Sequence, residues 1–552
     1  MRPARSLLLS LRMQDDVGLL KPQPQRVVII GAGFAGLSVA YHLLQHQEEE
    51  QRTQHSSCTS TTMWDITILE ARDRIGGRVH PCRWDEQTVV DYGGQWIHEA
   101  SERNPMVQLL REDLHIPLRY STLPQTASAK TTSHESGGSE TATPSSSSSS
   151  SFSCVYDRET GRPIPKHIYK TASCFFYKTI HNHKGVPDED TSLPNGKSTS
   201  TDVSFQSLLD EALAHPTATG TRFKNGSGDK DSSLADGSNS NSNNNQFQSM
   251  LHYLVHRTEC YEGGRLRELS VAMADLYTNL GGPDEQPVGG YNAVLQALMD
   301  KTIGWDRVQL NTIVDTIQYQ DSDESTTAAA AGAPVRITCS DGSAVLADAC
   351  VCTVPLGVMQ QRRIQFDPPL STERWDAIDS IGMGILDKVL LQFDEPFWKD
   401  QEWFAASSAT DIRLVQNFVD CTIDFGSPVL CMLVGGDAAR RFDAPENGNI
   451  ALSDEQVVAE ALESLRHIFG DDEVGTPTRT HVTRWLSDPF AGGAYSFCQT
   501  GSSADAYRLV AEPCYSLQFA GEHTSLESHS CVHGAWETGQ REAQRLIQRS
   551  QE

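Results

Sequence analysis

"RVVIIGAGFAG" occupies residues 26–36, and its reading decides the fold. The run RVVII has the composition of a buried strand, GAGFAG follows with no spacer, and LSVAYHLLQHQ then carries its apolar residues at helical spacing. A glycine triplet by itself is a weak signal. Between a strand and a helix it reads as a dinucleotide-binding turn, in which Gly31 permits the tight bend, Gly33 lets a pyrophosphate approach the backbone, and Gly36 lets helix and strand pack closely. The helix N-terminus then faces the phosphates. The next strand, DITILE, ends at Glu70, whose carboxylate is placed to accept ribose hydroxyls. Glu70 lies farther along than the roughly twenty residues usual for this motif, and the polar stretch QEEEQRTQHSSCTSTTMW fits a lengthened loop between them. The arrangement also explains the apolar stretch Val27 to Leu44 as strand plus helix rather than a membrane span.

Outward from this unit, strand-like and helix-like patterns alternate, which predicts an α/β protein. VRITCSDGSAVLADACVCTVP (335–355) reads as a hairpin and a buried strand, and DEQVVAEALESLRHIFG (454–470) as an amphipathic helix. In GMGILDKVLLQF (382–393), Val389, Leu390, Leu391 and Phe393 form a strand, and Lys388 stands where it begins. A lysine there either snorkels to water or is held in a pocket for its chemistry. Two polar tracts, TPSSSSSSSFS within 124–153 and NGSGDKDSSLADGSNSNSNNN within 224–245, have almost nothing to bury. HIYKTASCFFYKTI between them fits a short amphipathic helix, and 124–245 as a whole reads as a partly disordered surface insertion acting as a spacer.

At 552 residues the chain is too long for one core. Its net charge of −27 argues against nucleic acid; it would attract cationic small molecules or basic peptides, although solubility alone is the simpler account of the charge. The 13 cysteines are scattered, with no C-x-x-C, which suits free thiols in a reduced compartment rather than disulfides or zinc. The expectation is a soluble cytoplasmic protein, with an organellar presequence as the other reading of MRPARSLLLSLRM. His523, His529, Cys531 and His533 have no zinc spacing, so no metal is expected.

ARDRIGGRVH (71–80) adds a second glycine pair, with Arg72 and Arg78 as further donors for a pyrophosphate. Together with DYGGQWIHEASERNP (91–105), PVGGYNAVLQALMD (287–300), LNTIVDTIQY (310–319), VPLGVM, IQFDPPLSTERWDAIDSIGMGILDKVLLQFDEPFW, RWLSDPFAGGAYSFCQTGSS and FAGEHTSLESHSCVHGAWETGQREA, it resembles the flavin-containing amine oxidases, closest in motif to polyamine oxidases and similar also to monoamine oxidases and lysine-specific histone demethylases. The resemblance covers most of the chain outside 1–24 and the insertion. It implies a Rossmann-like FAD-binding domain built from 25–105, 285–360 and 500–550, interleaved with an α+β substrate-binding domain from 106–284 and 361–499. It implies FAD contacts at Gly31, Gly33, Ala35, Gly36, Glu70, Ala71, Arg72, Gly77, Arg78, Gly94, Gln95, Trp96, Ile97, Val314, Trp485, Gly521, Glu522 and Val532. Lys388 is expected to hold a water at the flavin N5. His98 is expected to line the substrate tunnel and share in catalysis, with Tyr495 and Trp485 as aromatic walls and Cys531 where relatives have a second cage aromatic. Ala494 stands where monoamine oxidases tether flavin through cysteine, so FAD is expected to be noncovalent.

The implied reaction is oxidation of a polyamine or its acetylated form by hydride transfer to flavin, giving aldehyde, amine and hydrogen peroxide. Its partners are a cationic amine and dioxygen, with no membrane, and the oligomeric state stays open. Demethylation of methyl-lysine in a basic peptide is the alternative, disfavoured by the absence of a visible additional N-terminal domain or long helical excursion. An amino-acid oxidase would need an arginine aimed at the substrate carboxylate, which the sequence does not place. A flavin-binding interaction protein without turnover would use the insertion as a binding arm.

Overall fold

A computed structural model describes residues 24–53, 63–120, 154–181, 202–214, 238–274, 276–320, 334–398, 401–443 and 448–551. The N-terminal extension, the Ser-rich tract and residues 215–237 lie outside them. The architecture is mixed α/β.

The strand Gln25–Ile30 lies at the centre of a five-stranded sheet, all parallel, in the order Leu517–Phe519, Ala349–Cys352, Gln25–Ile30, Trp64–Leu69, Val308–Gln309. Alternate side chains of a strand point to opposite faces. Val27 and Ile29 therefore join one core with Leu37, Val39 and Trp536, while Val28 and Ile30 join another with Val314, Ile317 and Ile337. A strand buried on both faces needs the near-continuous apolar run that RVVII supplies. The first core is closed by the helices Phe34–Thr53 and Val532–Gln551, which touch through Ser38 Oγ donating to Trp536 O at 2.6 Å. The second is closed by a four-stranded sheet, which contains the expected hairpin Val335–Cys339 and Ala344–Ala347.

A six-stranded, mostly antiparallel sheet runs Arg479–Val482, Leu386–Gln392, Val429–Gly435, Gln416–Asp420, Trp403–Ser407, Cys154–Asp157. Lys388 is the third residue of its strand, inside the sheet opposite Leu433 rather than at the strand's start. On one side of this sheet packs the amphipathic helix Asp454–Phe469, whose start is fixed by a capping box between Ser453 and Gln456.

The insertion is not merely a spacer. Cys154–Asp157 is an edge strand of the six-stranded sheet, and helices Lys166–His181, Phe205–Ala214 and Ser238–Glu262 enclose a further core with Phe175, Phe176, Leu209, Tyr253 and Ala405. The expected helix in HIYKTASCFFYKTI is present, but buried. The Asn/Ser run from Ser238 also departs from expectation, forming the first turns of the last helix. Weak helix propensity there is overridden by continuity with the packed segment from Phe247 to Leu254.

Among the described residues no helix is long and apolar enough to cross a membrane, and no group of three His, Cys, Asp or Glu side chains gathers where a metal could sit. The apolar stretch from Val27 is strand plus helix, as read.

Candidate active site

One cavity of about 1330 Å³ runs from the glycine turn, between the sheets, to the helices of the insertion. Its first part is walled by Gly31, Gly33, Ala35, Glu70, Ala71 and Val314. Gly31 has φ of +104°, and a Cβ there would lie 2.7 Å from Thr353 Oγ1. At Gly36 a Cβ would come within 2.0 Å of the Gly31 carbonyl oxygen, so this glycine serves helix–strand packing and does not line the cavity. Gly33 differs from both. A Cβ on it would meet no protein atom nearer than 4.0 Å, so the fold does not demand glycine; a group lying in the cavity against this backbone does. Glu70 stiffens the turn by accepting from the backbone N–H groups of Ala32 at 2.7 Å and Arg72 at 2.9 Å, and still faces the cavity. A dinucleotide fits these features.

Gly77, Arg78, Gly94, Gln95 and Trp96 continue the wall, with Gly521, Glu522 and Val532 opposite. The two arginines are less free than expected. Arg72 gives both terminal nitrogens to Asp488, at 3.0 and 2.8 Å. Arg78 Nη1 serves Ala494 O at 3.0 Å and Glu522 at 2.9 Å. Burial opposes ionisation of Glu522, but the charges of Arg78 and His523 and the Ser496 hydroxyl outweigh it and hold the carboxyl down to about 2. Ile97 does not reach the cavity. It pairs with Glu285 through backbone hydrogen bonds of 2.8 and 3.0 Å and buries its side chain in the first core. Ile97 makes an isolated bridge to Glu285, and its side chain turns away from the cavity that Trp96 and His98 line.

Lys388 lies on the same face of its strand as Leu390 and reaches the cavity with 4% exposure, which removes the snorkelling alternative. Its Nζ donates to Asp91 O and to Gln95 Oε1, both at 2.8 Å, and sits 5.1 Å from the Trp96 ring centroid. Gln95 is in turn oriented by Asp424, which accepts from its Nε2 at 3.2 Å and from Arg119 at 2.9 Å. The Asp91 carboxyl is pushed up to about 7 by burial, against the pull of Lys388. Thus Gln95 positions the lysine, a role that no local pattern signals.

Trp485 and Tyr495 both line the cavity. The Trp485 backbone N–H is held by Asp387 at 3.0 Å, and the Tyr495 hydroxyl donates to Cys260 O at 2.5 Å. His98 bonds Asp284 through Nδ1 at 3.1 Å. Burial opposes its positive form, yet the Asp284 hydrogen bond and charge raise its pKa. Cys531 lies 3.6 Å from the Tyr277 hydroxyl, and burial pushes its thiol up to about 12. Of the histidines weighed for metal, His523 and His533 are lowered to about 4 by burial.

The sequence reading missed the outer walls of the cavity, which come from Phe176, Tyr177, Phe205, Arg257, Tyr261 and Trp403. One signal was available: Tyr253, Arg257 and Tyr261 recur at four-residue spacing, one face of one helix.

The family model described as flavin containing amine oxidoreductase matches residues 34–547. The chain is 30% identical, over 99% of its length, to lysine-specific histone demethylase 1 homolog 3 of Arabidopsis thaliana, and spans 32% of that protein. It is 28% identical over 94% of its length to lysine-specific histone demethylase 2 of Homo sapiens, spanning 53% of it. Against polyamine oxidase 4 of Oryza sativa subsp. japonica it is 26% identical over 95% of its length and spans 90% of the relative. A match across nearly the whole chain, on a fold whose glycine turn opens onto a cavity of about 1330 Å³, leaves one conclusion: the chain belongs to the flavin-containing amine oxidoreductases, with FAD as its cofactor.

Proposed function

We propose that this chain is an oxidase of a primary or secondary aliphatic amine, acting on a polyamine or its acetylated form with dioxygen as acceptor. The observation that carries the reading is Lys388, a buried lysine aimed into the cavity and held by Gln95 and Asp91, beside Trp485 and Tyr495. FAD, when bound, supplies the two-electron oxidation of the amine's C–N bond to an imine. Lys388 keeps one N–H for a water in the cavity, since its other two are used by protein oxygens. Trp485 and Tyr495 offer flat faces to an amine, and their burial excludes bulk water from it. His98, tied to Asp284, gives the tunnel wall a proton-carrying group. Water adds to the released imine, which splits into aldehyde and amine.

The Rossmann-like parallel sheet is the core of the proposed FAD domain, and the six-stranded sheet with the insertion's helices that of the substrate domain. The flavin contacts proposed are those facing the cavity, with Gly36 acting through packing. Ala494 offers no thiol, so the flavin is held noncovalently. Acid precipitation is expected to leave yellow flavin in the supernatant, and flavin retained in the pellet contradicts this.

The polyamine reading is supported by the likeness to polyamine oxidases over nine-tenths of their length, and the methyl-lysine reading by the somewhat higher identity to the demethylases. Anaerobic incubation with spermine, spermidine and their acetyl derivatives is expected to bleach the flavin absorbance. If none does so, while a methyl-lysine peptide releases formaldehyde in air, the demethylase reading replaces it.

A further inference from the structure

Four arginines line the cavity, and three have partners: Arg72 holds Asp488, Arg78 holds Glu522, and Arg363 holds the Gln361 side chain at 2.7 Å. Arg257 is the exception. It stands on the helix Ser238–Glu262, half-buried, and makes no hydrogen bond or ion pair with any described residue. Tyr253 and Tyr261 flank it one turn away on its own helix, and Tyr169 and Tyr177 approach from the helix Lys166–His181. Neutral phenol rings accommodate a cation without supplying an anion, and they leave the N–H fork unsatisfied. Trp403, also on the cavity wall, turns its buried Nε1 towards the Tyr253 hydroxyl, outside strict hydrogen-bond geometry. Among the outer carboxylates, Asp284 is taken by His98. Glu262 also stands on this wall, next to Tyr261 on the same helix, so what singles out Arg257 is that it is the one lining arginine, among the described residues, whose guanidinium has no acceptor.

We propose that Arg257 makes the outer end of the cavity a seat for an acceptor oxygen on the substrate, a carboxylate or the carbonyl of an acylated nitrogen, in preference to a second ammonium. The inference rests on the amine-oxidase reading and deepens it. Among the amines that reading allows, it favours one whose other end is anionic or acylated over the matching bare polycation. A guanidinium can give a carboxylate two parallel hydrogen bonds, or an amide oxygen one, and it repels an ammonium at the same spot. Arg257 is a specificity determinant here, since Lys388 and the flavin act at the other end.

The test is equilibrium binding to the oxidised FAD-loaded protein, read by calorimetry and by perturbation of the flavin spectrum, so that turnover is not needed. The probes are three series matched in length: ω-amino acids from glycine to aminohexanoate, diamines, and their monoacetyl derivatives. In the wild type, a carboxylate or acetyl probe is expected to bind about tenfold or more tighter than the matching diamine, the scale of a hydrogen bond to a charged group. Arg257→Gln is expected to erase that preference, and Arg257→Lys to keep part of it. Preference for carboxylates alone identifies an anion seat; preference for both series identifies a general oxygen seat. Diamines binding as tightly as their partners, a ratio unmoved by Arg257→Gln, or no binding by any probe overturns the proposal. If the preference behaves as expected while no amine in any series bleaches the flavin, the seat stands and the oxidase reading fails.

Discussion

A lysine that is 4% exposed must find its hydrogen bonds inside the protein, and Lys388 finds two, in Asp91 O and Gln95 Oε1. Lys388→Met keeps the length of the side chain but leaves both oxygens without a donor, costing ~1–3 kcal/mol. FAD content is therefore expected to stay near normal. The kinetic cost is larger, because acid–base assistance is worth ~100-fold or more. Stopped-flow measurement of flavin reduction and reoxidation should find that loss in one of them, and changes below about tenfold in both sink the assignment. Glu522 allows a test by pH. Its carboxyl titrates at about 2 when folded against 4.5 unfolded, so the folded protein binds its proton more weakly. The stabilisation is present above the unfolded value and is lost as pH falls from there towards the folded one. The shift corresponds to ~3 kcal/mol. Glu522→Gln should lower stability at neutral pH by about that amount and flatten the acid limb of a denaturant-midpoint profile; an unchanged limb puts the acid sensitivity elsewhere. Residues such as Gly31 and Glu70 were legible in the sequence because their roles are local, set by one turn and the strand after it. Gln95 was expected only as a flavin contact, and Asp91 and Arg257 not at all, because their roles arise from groups that only the fold brings near them.

Elements were legible where burial leaves a pattern, a continuous apolar run in Gln25–Ile30 and one face at helical spacing in Asp454–Phe469. The helix Ser238–Glu262 was hidden at its start, since an Asn/Ser run reads as coil until the packed residues beyond it are counted. That helix and Lys166–His181 pack through Phe176, Tyr253 and Leu254, and the same pair carries Tyr177, Arg257 and Tyr261 to the cavity. Packing and recognition are thus coupled in one layer. Phe176 is fully buried at this contact. Phe176→Ala should cost ~3 kcal/mol by deleting a buried ring, with part of the void merging into the cavity. Denaturant unfolding checks the stability. FAD occupancy should be unaffected, because the glycine turn lies at the other end of the site. A stability loss below about 1 kcal/mol would mean that the helices collapse onto the space, which places them among the more adaptable cores.

At the scale of the molecule, the chain crosses repeatedly between the parallel sheet and the six-stranded sheet, and the cavity is made by both. Lys388 from one sheet meets Gln95 from a segment that follows the other. Such a site forms only when distant segments are assembled, which is why sequence spacing could suggest its members but not their contacts. The stretch 124–245 tests how far the assembly depends on what reads as an insertion. A freely removable spacer could be excised with the fold and FAD content intact. The structure gives the opposite expectation. Excision takes the edge strand Cys154–Asp157 from beside Trp403–Ser407 and removes the buried side chains of Val155, Ile168, Phe175, Phe176 and Leu209 from the core they share with Leu254, Ala405 and Val415. At ~2 kcal/mol for each buried side chain, those five alone amount to ~10 kcal/mol, the size of a whole protein's net stability. A variant lacking 124–245 should therefore lose soluble, FAD-loaded protein altogether. Removing only the serine run at 145–151, which has nothing apolar to bury, should leave thermal unfolding and flavin content within error of the wild type. Recovery of folded, FAD-loaded protein after the full excision would mean that the edge strand and the helices Lys166–His181 and Phe205–Ala214 are an accessory layer, and that Tyr169 and Tyr177 are not needed to complete the cavity.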